Sequence, residues 1–149
     1  MHGDSVSDGM EAARALADLV EISPQIEAAI VFGDDEEPLG AVGVSDWWAT
    51  AVARAGKALL AGAGQFRSEG GPVTQLHASL GDGDVFVVGQ ARSRAIVAVT
   101  APGQPAGLVF YDLKRCLASL AARELQPDPA PEAKHARRRW GRKRGGDRA

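Results

Sequence analysis

Apolar and polar residues alternate along the chain with two different periods, and the changes of period mark out eight elements up to residue 125. Apolar residues at helical spacing predict three helices, over residues 8–20, 46–62 and 107–124. Apolar runs rich in branched side chains, or alternating with polar ones, predict five strands, over residues 26–32, 39–44, 73–80, 84–91 and 95–100. The resulting order, α-β-β-α-β-β-β-α, predicts an α+β domain over residues 8–125.

The middle helix of this series, residues 46–62, has very few polar side chains. At about 100° per residue they fall in one narrow stripe, made of Asp46, Thr50, Arg54 and Lys57. Trp48, Val52 and Leu59 lie opposite this stripe, and we expect them to face the sheet of their own domain. Alanine tolerates exposure on a helix, but contiguous exposed apolar surface usually marks a contact. The pattern therefore predicts that a partner covers this helix as well.

The two tryptophans at the start of this helix each allow two interpretations. A tryptophan here can anchor the helix in the core, which suits Trp48 because it shares a face with Val52 and Leu59. Trp47 lies about 100° further round the helix, closer to the polar stripe. Since tryptophan is enriched in binding hot spots, Trp47 is the better candidate for contact with another protein.

The length and composition are those of a single globular domain. Of the 149 residues, 45% are hydrophobic and 24% are charged, which are ordinary proportions. There is no run of about 18 apolar residues of the kind that spans a membrane, and the acidic N-terminus lacks the pattern of a signal peptide. Because the single cysteine, Cys116, cannot form an internal disulfide, we expect a cytoplasmic protein.

The net charge of −2 conceals an acidic body and a basic tail. Residues 1–125 carry nine Lys/Arg and sixteen Asp/Glu, whereas residues 126–149 carry eight Lys/Arg and three Asp/Glu. The tail lacks apolar periodicity, so we expect it to be disordered, as we expect for residues 1–7. Its basic cluster contains one aromatic residue and consists of Arg137, Arg138, Arg139, Trp140, Arg142, Lys143 and Arg144. Two interpretations stay open: a solubilising tail, or a segment that binds nucleic acid, an anionic membrane or an acidic protein.

Motifs for catalysis, cofactors and metals are missing from the sequence. The glycines at Gly62 and Gly64 lack the lysine and hydroxyl of a phosphate-binding loop, and the acidic turn at residues 34–37 lacks the ligand spacing of a calcium loop. His77 has no recognisable catalytic partner, and Cys116 lies on the apolar face of a helix, which is typical of a core residue. We therefore expect neither an enzyme nor a bound cofactor, metal or small-molecule substrate.

Three stretches of the sequence carry a resemblance to a known family. Residues 26–31 (IEAAIV), an acidic turn and residues 38–41 (PLGA) form a first hairpin. An alanine-rich helix follows Ser45, and residues 107–115 (GLVFYDLKR) open a closing helix in which glycine and aliphatic residues precede leucine and basic residues. In this order the stretches resemble the Roadblock/LC7 family, and the resemblance covers residues 8–125. The usual Asp-Gly turn of the family is replaced here by Asp35-Glu36.

The resemblance implies a profilin-like layered fold, in which a five-stranded antiparallel sheet lies between the middle helix and the two terminal helices. Family members generally form homodimers through the middle helix and the following strand, here residues 46–62 and 73–80, so that two sheets join edge to edge. Gly56 and its alanine neighbours would then allow two helices to approach closely. The interface residues implied in this way are Ala51, Ala55, Gly56, Ala58, Leu59, Val73, Thr74, Gln75, Leu76, His77 and Ala78.

The resemblance also implies a function without chemistry of its own. Family members act as non-catalytic regulators or scaffolds, and the bacterial ones typically work with a small Ras-like GTPase. A homodimeric adaptor for such a GTPase is therefore expected, with partner contacts at Trp47, Trp48, Arg92 and Arg94, of which the arginines are candidates for an arginine finger. Two alternatives remain: a small-ligand sensor, because similar helix–sheet layers in other families hold pockets, and a nucleic-acid or membrane tether that acts through the basic tail.

Overall fold

Within the residues that the structure describes, eight elements follow one another in the predicted order. The computed structural model describes residues 2–35, 37–66, 74–90 and 94–125. The helices are α1 (His2–Ile22), α2 (Asp46–Gly64) and α3 (Ala106–Leu125). The strands are β1 (Ile26–Phe32), β2 (Pro38–Val42), β3 (Gln75–Leu80), β4 (Gly83–Gln90) and β5 (Arg94–Thr100). The predicted α+β class is confirmed, while the tail that was expected to be disordered lies outside the described residues.

The five strands form one antiparallel sheet in the order β2-β1-β5-β4-β3. β1 and β5 run through its centre, where elements cover both faces. Their sequences are accordingly almost continuously apolar, and every residue of β1 except Glu27 is buried. β2 and β3 are the two edge strands. The register places Ile30 of β1 beside Ala41 of β2 on one side and Val97 of β5 on the other.

Alternate side chains of the strands enter two separate hydrophobic clusters, because successive residues of a strand point to opposite faces. One cluster packs α1 and α3 on one face of the sheet and includes Leu16, Val31 and Leu113. The other packs α2 alone on the opposite face and includes Ile30 and Ala53. The layered arrangement that the resemblance implies is thus confirmed.

The first helix begins earlier than the apolar pattern predicts. The capping signal of Asp8 and Glu11 predicts a start at Asp8, but the backbone is helical from His2. Residues 2–7, which were expected to be disordered, continue the helix instead. No proline interrupts residues 2–8, so the backbone can continue as a helix towards the N-terminus.

The face of α2 that packs on the sheet is a different one from that predicted. The fully buried residues of the helix are Ala49, Ala53 and Gly56. The expectation that Trp48, Val52 and Leu59 face the sheet is wrong for Trp48 and Leu59, which are exposed, and Val52 is only half-buried at the border of the contact.

Small side chains on α2 let the helix lie close to the sheet. A Cβ atom added at Gly56 would lie 3.3 Å from Cζ of Phe32 and 3.4 Å from Cβ of Val97. The side chains of the strands therefore already fill the space beneath the helix, at the close packing typical of protein interiors. Tryptophan or leucine at these positions would hold the helix further away, so the small face turns inward and the large side chains turn outward.

Candidate protein-interaction surface

Ser45 fixes where α2 begins and hence where its two tryptophans lie. The Ser45 backbone is extended, and its side-chain oxygen accepts a hydrogen bond from the backbone N–H of Trp48 at 3.4 Å. Asp46 places a negative charge in the first turn, where it interacts favourably with the helix dipole. Trp47 and Trp48 therefore occupy the first turn, near the end of the sheet at which β2 finishes.

Both tryptophans project away from the domain core. Trp47 is 74% exposed and Trp48 is 50% exposed, and their rings stack with centroids 5.5 Å apart and planes 24° apart. The arc of the helix surface between them contains only alanine and glycine. Leu59, 38% exposed, lies on the same side of the helix as Trp48, about three turns further along. The outward surface of α2 is therefore apolar.

The polar stripe of α2 shows which way each flank of the helix faces. Lys57 donates a hydrogen bond through Nζ to the backbone carbonyl of Asp34, which lies in the turn between β1 and β2. The polar flank thus faces the β2 side of the sheet. Trp48 lies roughly 180° around the helix from Lys57. The apolar flank therefore faces the other edge of the sheet, which is β3.

β3 presents an apolar face towards this flank and is an edge strand of the sheet that the described residues form. The side chain of His77 points to the layer of α1 and α3, where it stacks on Phe86. Because side chains alternate, Leu76, Ala78 and Leu80 point to the α2 side. Leu80 is 55% exposed, and among the described residues no strand pairs with the outer side of β3.

The flank of α2 and the inner face of β3 together form one apolar surface. We call it the apolar seam, and it consists of Trp48, Val52, Ala55, Leu59, Leu76, Ala78 and Leu80. A protein that remains monomeric rarely exposes a contiguous apolar surface of this kind. An unpaired strand edge next to it offers main-chain donors and acceptors to another chain.

Solved structures share this architecture. A Roadblock/LC7 domain from Streptomyces avermitilis superposes with a TM-score of 0.66 at 18% sequence identity, covering 74% of this chain and 94% of that one. The chain has the Roadblock/LC7 fold. MglB from Myxococcus xanthus has a TM-score of 0.61 at 10% identity, covering 84% of this chain and 95% of that one. The gliding protein MglB from Thermus thermophilus has a TM-score of 0.58 at 18% identity, covering 77% and 89%.

The likeness is one of three-dimensional structure. No protein-family model matches the sequence, and the comparison with curated proteins gives no match either. The resemblance seen in the order of residues is confirmed by the fold, which places α2 and β3 where a Roadblock/LC7 domain has its middle helix and the following strand.

The Roadblock/LC7 fold brings most of the predicted dimer residues to one side of the domain. On α2, the residues of this set that point away from the sheet are Ala51, Ala55, Ala58 and Leu59. Gly56 does not belong with them. It is buried against Phe32 and Val97, so its small size serves the contact between helix and sheet, and the expectation that it allows close approach of two helices is wrong.

The predicted dimer residues that follow α2 lie along the free edge strand. Leu76 and Ala78 belong to the apolar seam, whereas Gln75 and His77 point to the opposite face. Thr74 directly precedes β3, and Val73 lies outside the described residues. Leu80 was missing from the prediction, although the alternation of residues 73–80 already placed it on the same face as Leu76 and Ala78.

His77 has a structural explanation in this fold. Its Nε2 atom lies 3.3 Å from Oδ2 of the buried Asp84, and its ring lies parallel to that of Phe86 with centroids 4.3 Å apart. Phe86 in turn contacts the ring of Phe110 edge-on. His77 is therefore part of the packing between β3, β4 and α3.

The residues predicted to contact a partner are not all brought together. Trp47 and Trp48 lie at the N-terminal end of α2. Arg94 begins β5 and pairs with Gln90, at the end of the sheet that carries Phe32, which is the opposite end from the tryptophans. Arg94 and the tryptophans therefore cannot belong to one small contact patch, and a partner contact at Arg94 stays a prediction, while Arg92 and the basic tail lie outside the described residues.

The cavities beside α3 are small. Two cavities beside α3 measure about 200 and about 180 Å³, below the roughly 300–1,000 Å³ of ordinary ligand pockets. In the described part of the chain, no three His, Cys, Asp or Glu side chains are grouped as a metal site requires. Within that same part, no helix is long and apolar enough to cross a membrane.

Proposed function

We propose that this protein is a non-catalytic homodimeric adaptor or regulator whose partner is a small Ras-like GTPase. The observation that carries the proposal is the apolar seam, which joins the outward flank of α2 to the free edge of β3. Association through it would bury side chains such as Trp48, Leu59 and Leu80 that the single domain leaves exposed.

A second copy of the chain fits the seam because the helix flank and the strand edge of one copy can each meet the same feature of the other copy. Around a two-fold axis the same surface meets itself, so β3 of one copy pairs with β3 of the other and the two sheets become continuous. The unpaired main-chain groups of the edge then gain partners. The alanine positions of α2, such as Ala55, let the helix of the second copy approach over the paired strands.

The proposed GTPase contact is a separate surface on the same helix. Trp47 lies on the outward arc of α2, about 100° from the flank that belongs to the seam, and it remains exposed when that flank is covered. A large exposed ring of this kind is a typical binding hot spot. The choice of a small Ras-like GTPase rests on the Roadblock/LC7 fold, because bacterial proteins of the family typically work with such a partner.

Light scattering of the purified protein tests the first half of the proposal. We expect a mass twice the 15.5 kDa of the chain at tens of micromolar. A clean monomer at that concentration would refute the dimer.

Binding measurements with the Ras-like GTPases of the same organism test the second half. Each GTPase is loaded with GDP or with a non-hydrolysable GTP analogue, and we expect one of them to bind with a preference for one nucleotide state. Trp47→Ala should weaken that binding by at least about tenfold, which corresponds to about 1.4 kcal/mol. Leu108→Ala, which changes an exposed apolar residue of α3, is the control and should have no effect. If none of the GTPases binds, the proposed partner is wrong. The proposed dimer is tested separately, by light scattering.

A further inference from the structure

A groove lies between α1 and α3, on the layer opposite to the apolar seam. The two helices run antiparallel, because Asp112 of α3 is hydrogen-bonded to Ser23 just beyond α1, and Cys116 contacts the backbone of Ala15 one turn further along. Ala15 and Leu19 form an apolar floor, and Asp18 and Asp112 line the sides.

The volume of the groove suits one large side chain. At about 200 Å³ it is smaller than the roughly 300–1,000 Å³ of pockets that hold small-molecule ligands. Ile22 lines its rim and is exposed. Tyr111 is exposed beside it, with its ring centre 5.8 Å from the guanidinium carbon of Arg115. An aromatic side chain that enters the groove would therefore meet an apolar floor and an apolar rim.

The charge of the groove points to a basic occupant. Asp18 and Asp112 line it, and Glu21 is exposed on the same helix as Asp18. Arg115 also lines the groove, with its guanidinium over the ring of Tyr111, so the lining carries two carboxylates against one guanidinium. The part of the chain up to residue 125 has sixteen acidic and nine basic residues, so its wider field also attracts a cationic segment.

The chain itself supplies a segment with these properties. Residues 126–149 carry eight Lys/Arg against three Asp/Glu, and Trp140 lies between Arg137-Arg138-Arg139 and Arg142-Lys143-Arg144. The segment starts at the end of α3, the helix that forms one wall of the groove.

The chain between α3 and Trp140 is long enough to reach the groove. Residues 112–119 precede Leu125 by 6 to 13 positions, which is about 9–20 Å along a helix. Trp140 follows Leu125 by 15 positions, which include Pro127, Pro129 and Pro131. A proline-rich segment extends by about 3.1 Å per residue, so these positions span up to roughly 47 Å, more than the distance back along α3 to the groove.

From these observations we infer that Trp140 docks into the groove between α1 and α3 of its own chain. The arginines on either side of Trp140 lie beside Asp18, Glu21 and Asp112, and the ring covers Ala15, Leu19 and Ile22. In the docked segment, the basic side chains lie against the acidic body and are not available to other anionic partners.

Fluorescence of a single tryptophan tests the inference in the full chain. Replacing Trp47 and Trp48 by phenylalanine leaves Trp140 as the only tryptophan. Compared with a synthetic peptide of residues 126–149, we expect Trp140 in the full chain to emit at shorter wavelength and to be quenched several-fold less by acrylamide. The protection should be independent of protein concentration, because the contact is made within one chain.

Charge reversal at the groove provides the matched comparison. Asp18→Lys in the single-tryptophan chain should return the quenching to that of the free peptide, whereas Glu27→Lys, at an exposed acid on β1, should leave it unchanged. About 1 M salt, which shortens the screening length to about 3 Å, should release Trp140 without any mutation. Circular dichroism of both variants should match that of the unmodified chain, which checks that they are folded.

Four results would overturn the inference. The first is a Trp140 that is quenched in the full chain as strongly as in the peptide, and the second is equal protection in Asp18→Lys and Glu27→Lys. The third is protection that rises with protein concentration, which would indicate docking onto another copy. Protection that arises only after addition of anionic lipid vesicles or single-stranded DNA would likewise assign the segment to those partners.

Discussion

Replacing Leu80 by glutamate places a carboxylate in the apolar seam and tests the proposed dimer directly. Leu80 is 55% exposed in the single domain, so about half of its side chain remains to be buried on association. Full burial of a leucine contributes about 1.5–3 kcal/mol to the free energy of association. A symmetric dimer contains two copies of Leu80, so the contribution enters twice. The loss of this burial amounts to about 2–3 kcal/mol, or about 30- to 150-fold in Kd, and moving a carboxylate out of water adds to it.

A dilution series followed by sedimentation or light scattering measures this change. Leu108→Glu is the matched control, because Leu108 is 52% exposed and lies on α3, outside the apolar seam. We expect Leu80→Glu to shift the monomer–dimer equilibrium by at least about thirtyfold and Leu108→Glu to leave it in place. Both substitutions are at the surface, so thermal unfolding of the monomer should change by no more than about 0.5 kcal/mol.

The comparison can fail in two distinct ways. If the two variants dissociate to the same extent, added negative charge rather than the position of Leu80 explains the result, and the seam is not the contact. If Leu80→Glu stays dimeric at the concentrations at which the unmodified chain is dimeric, the two copies meet through another surface.

Further predictions concern the contacts that orient α2 and hold the sheet. Gly56→Leu should lower the free energy of unfolding in urea by about 2 kcal/mol, because it overpacks the space filled by Phe32. Gly62→Leu on the same helix, where nothing lies within 4 Å, should cause no loss, and an equal loss at both sites would refute the packing argument. Ser45→Ala should cost about 0.5–1 kcal/mol through loss of the helix cap, and Ser45→Asp should restore it. Phe86→Ala should cost about 3–5 kcal/mol in the same assay, because the ring is fully buried; a loss below about 1 kcal/mol would contradict its place in the core.

The central strand β1 illustrates why the sheet could be predicted from the sequence. Its observed bounds are those that the apolar run predicts, since a strand covered on both faces must be apolar at nearly every position. The neighbouring β2 differs at both ends, from the predicted residues 39–44 to Pro38–Val42. Gly43 has a φ of 81°, which takes the backbone out of the extended region and ends the strand earlier than hydrophobicity indicates.

The rotation of α2 could not be predicted from the polarity of its own residues. The helix has one apolar arc of small residues around Ala53 and another of large residues around Trp48, and hydrophobicity alone favours burying the larger ones. The choice depends on the space above the sheet, which Phe32 and Val97 fill from distant parts of the chain. The sequence does contain one indication of the buried face. Ala49, Ala53 and Gly56 are spaced so that small residues lie on one face of the helix.

The orientation of α2 is itself an argument for a second copy of the chain. A domain that functions alone would remove more apolar surface from water by burying Trp48 and Leu59 than by burying alanine, yet here those large side chains face outward. The neighbouring strand β3 has the same character, because its sequence, QLHASL, contains none of the lysines or prolines that protect free edges from pairing. An exposed apolar flank and an unprotected edge on the same side of the domain are each unfavourable for a monomer. One two-fold contact through α2 and β3 would remove both at once, because the flank and the edge belong to the same continuous surface.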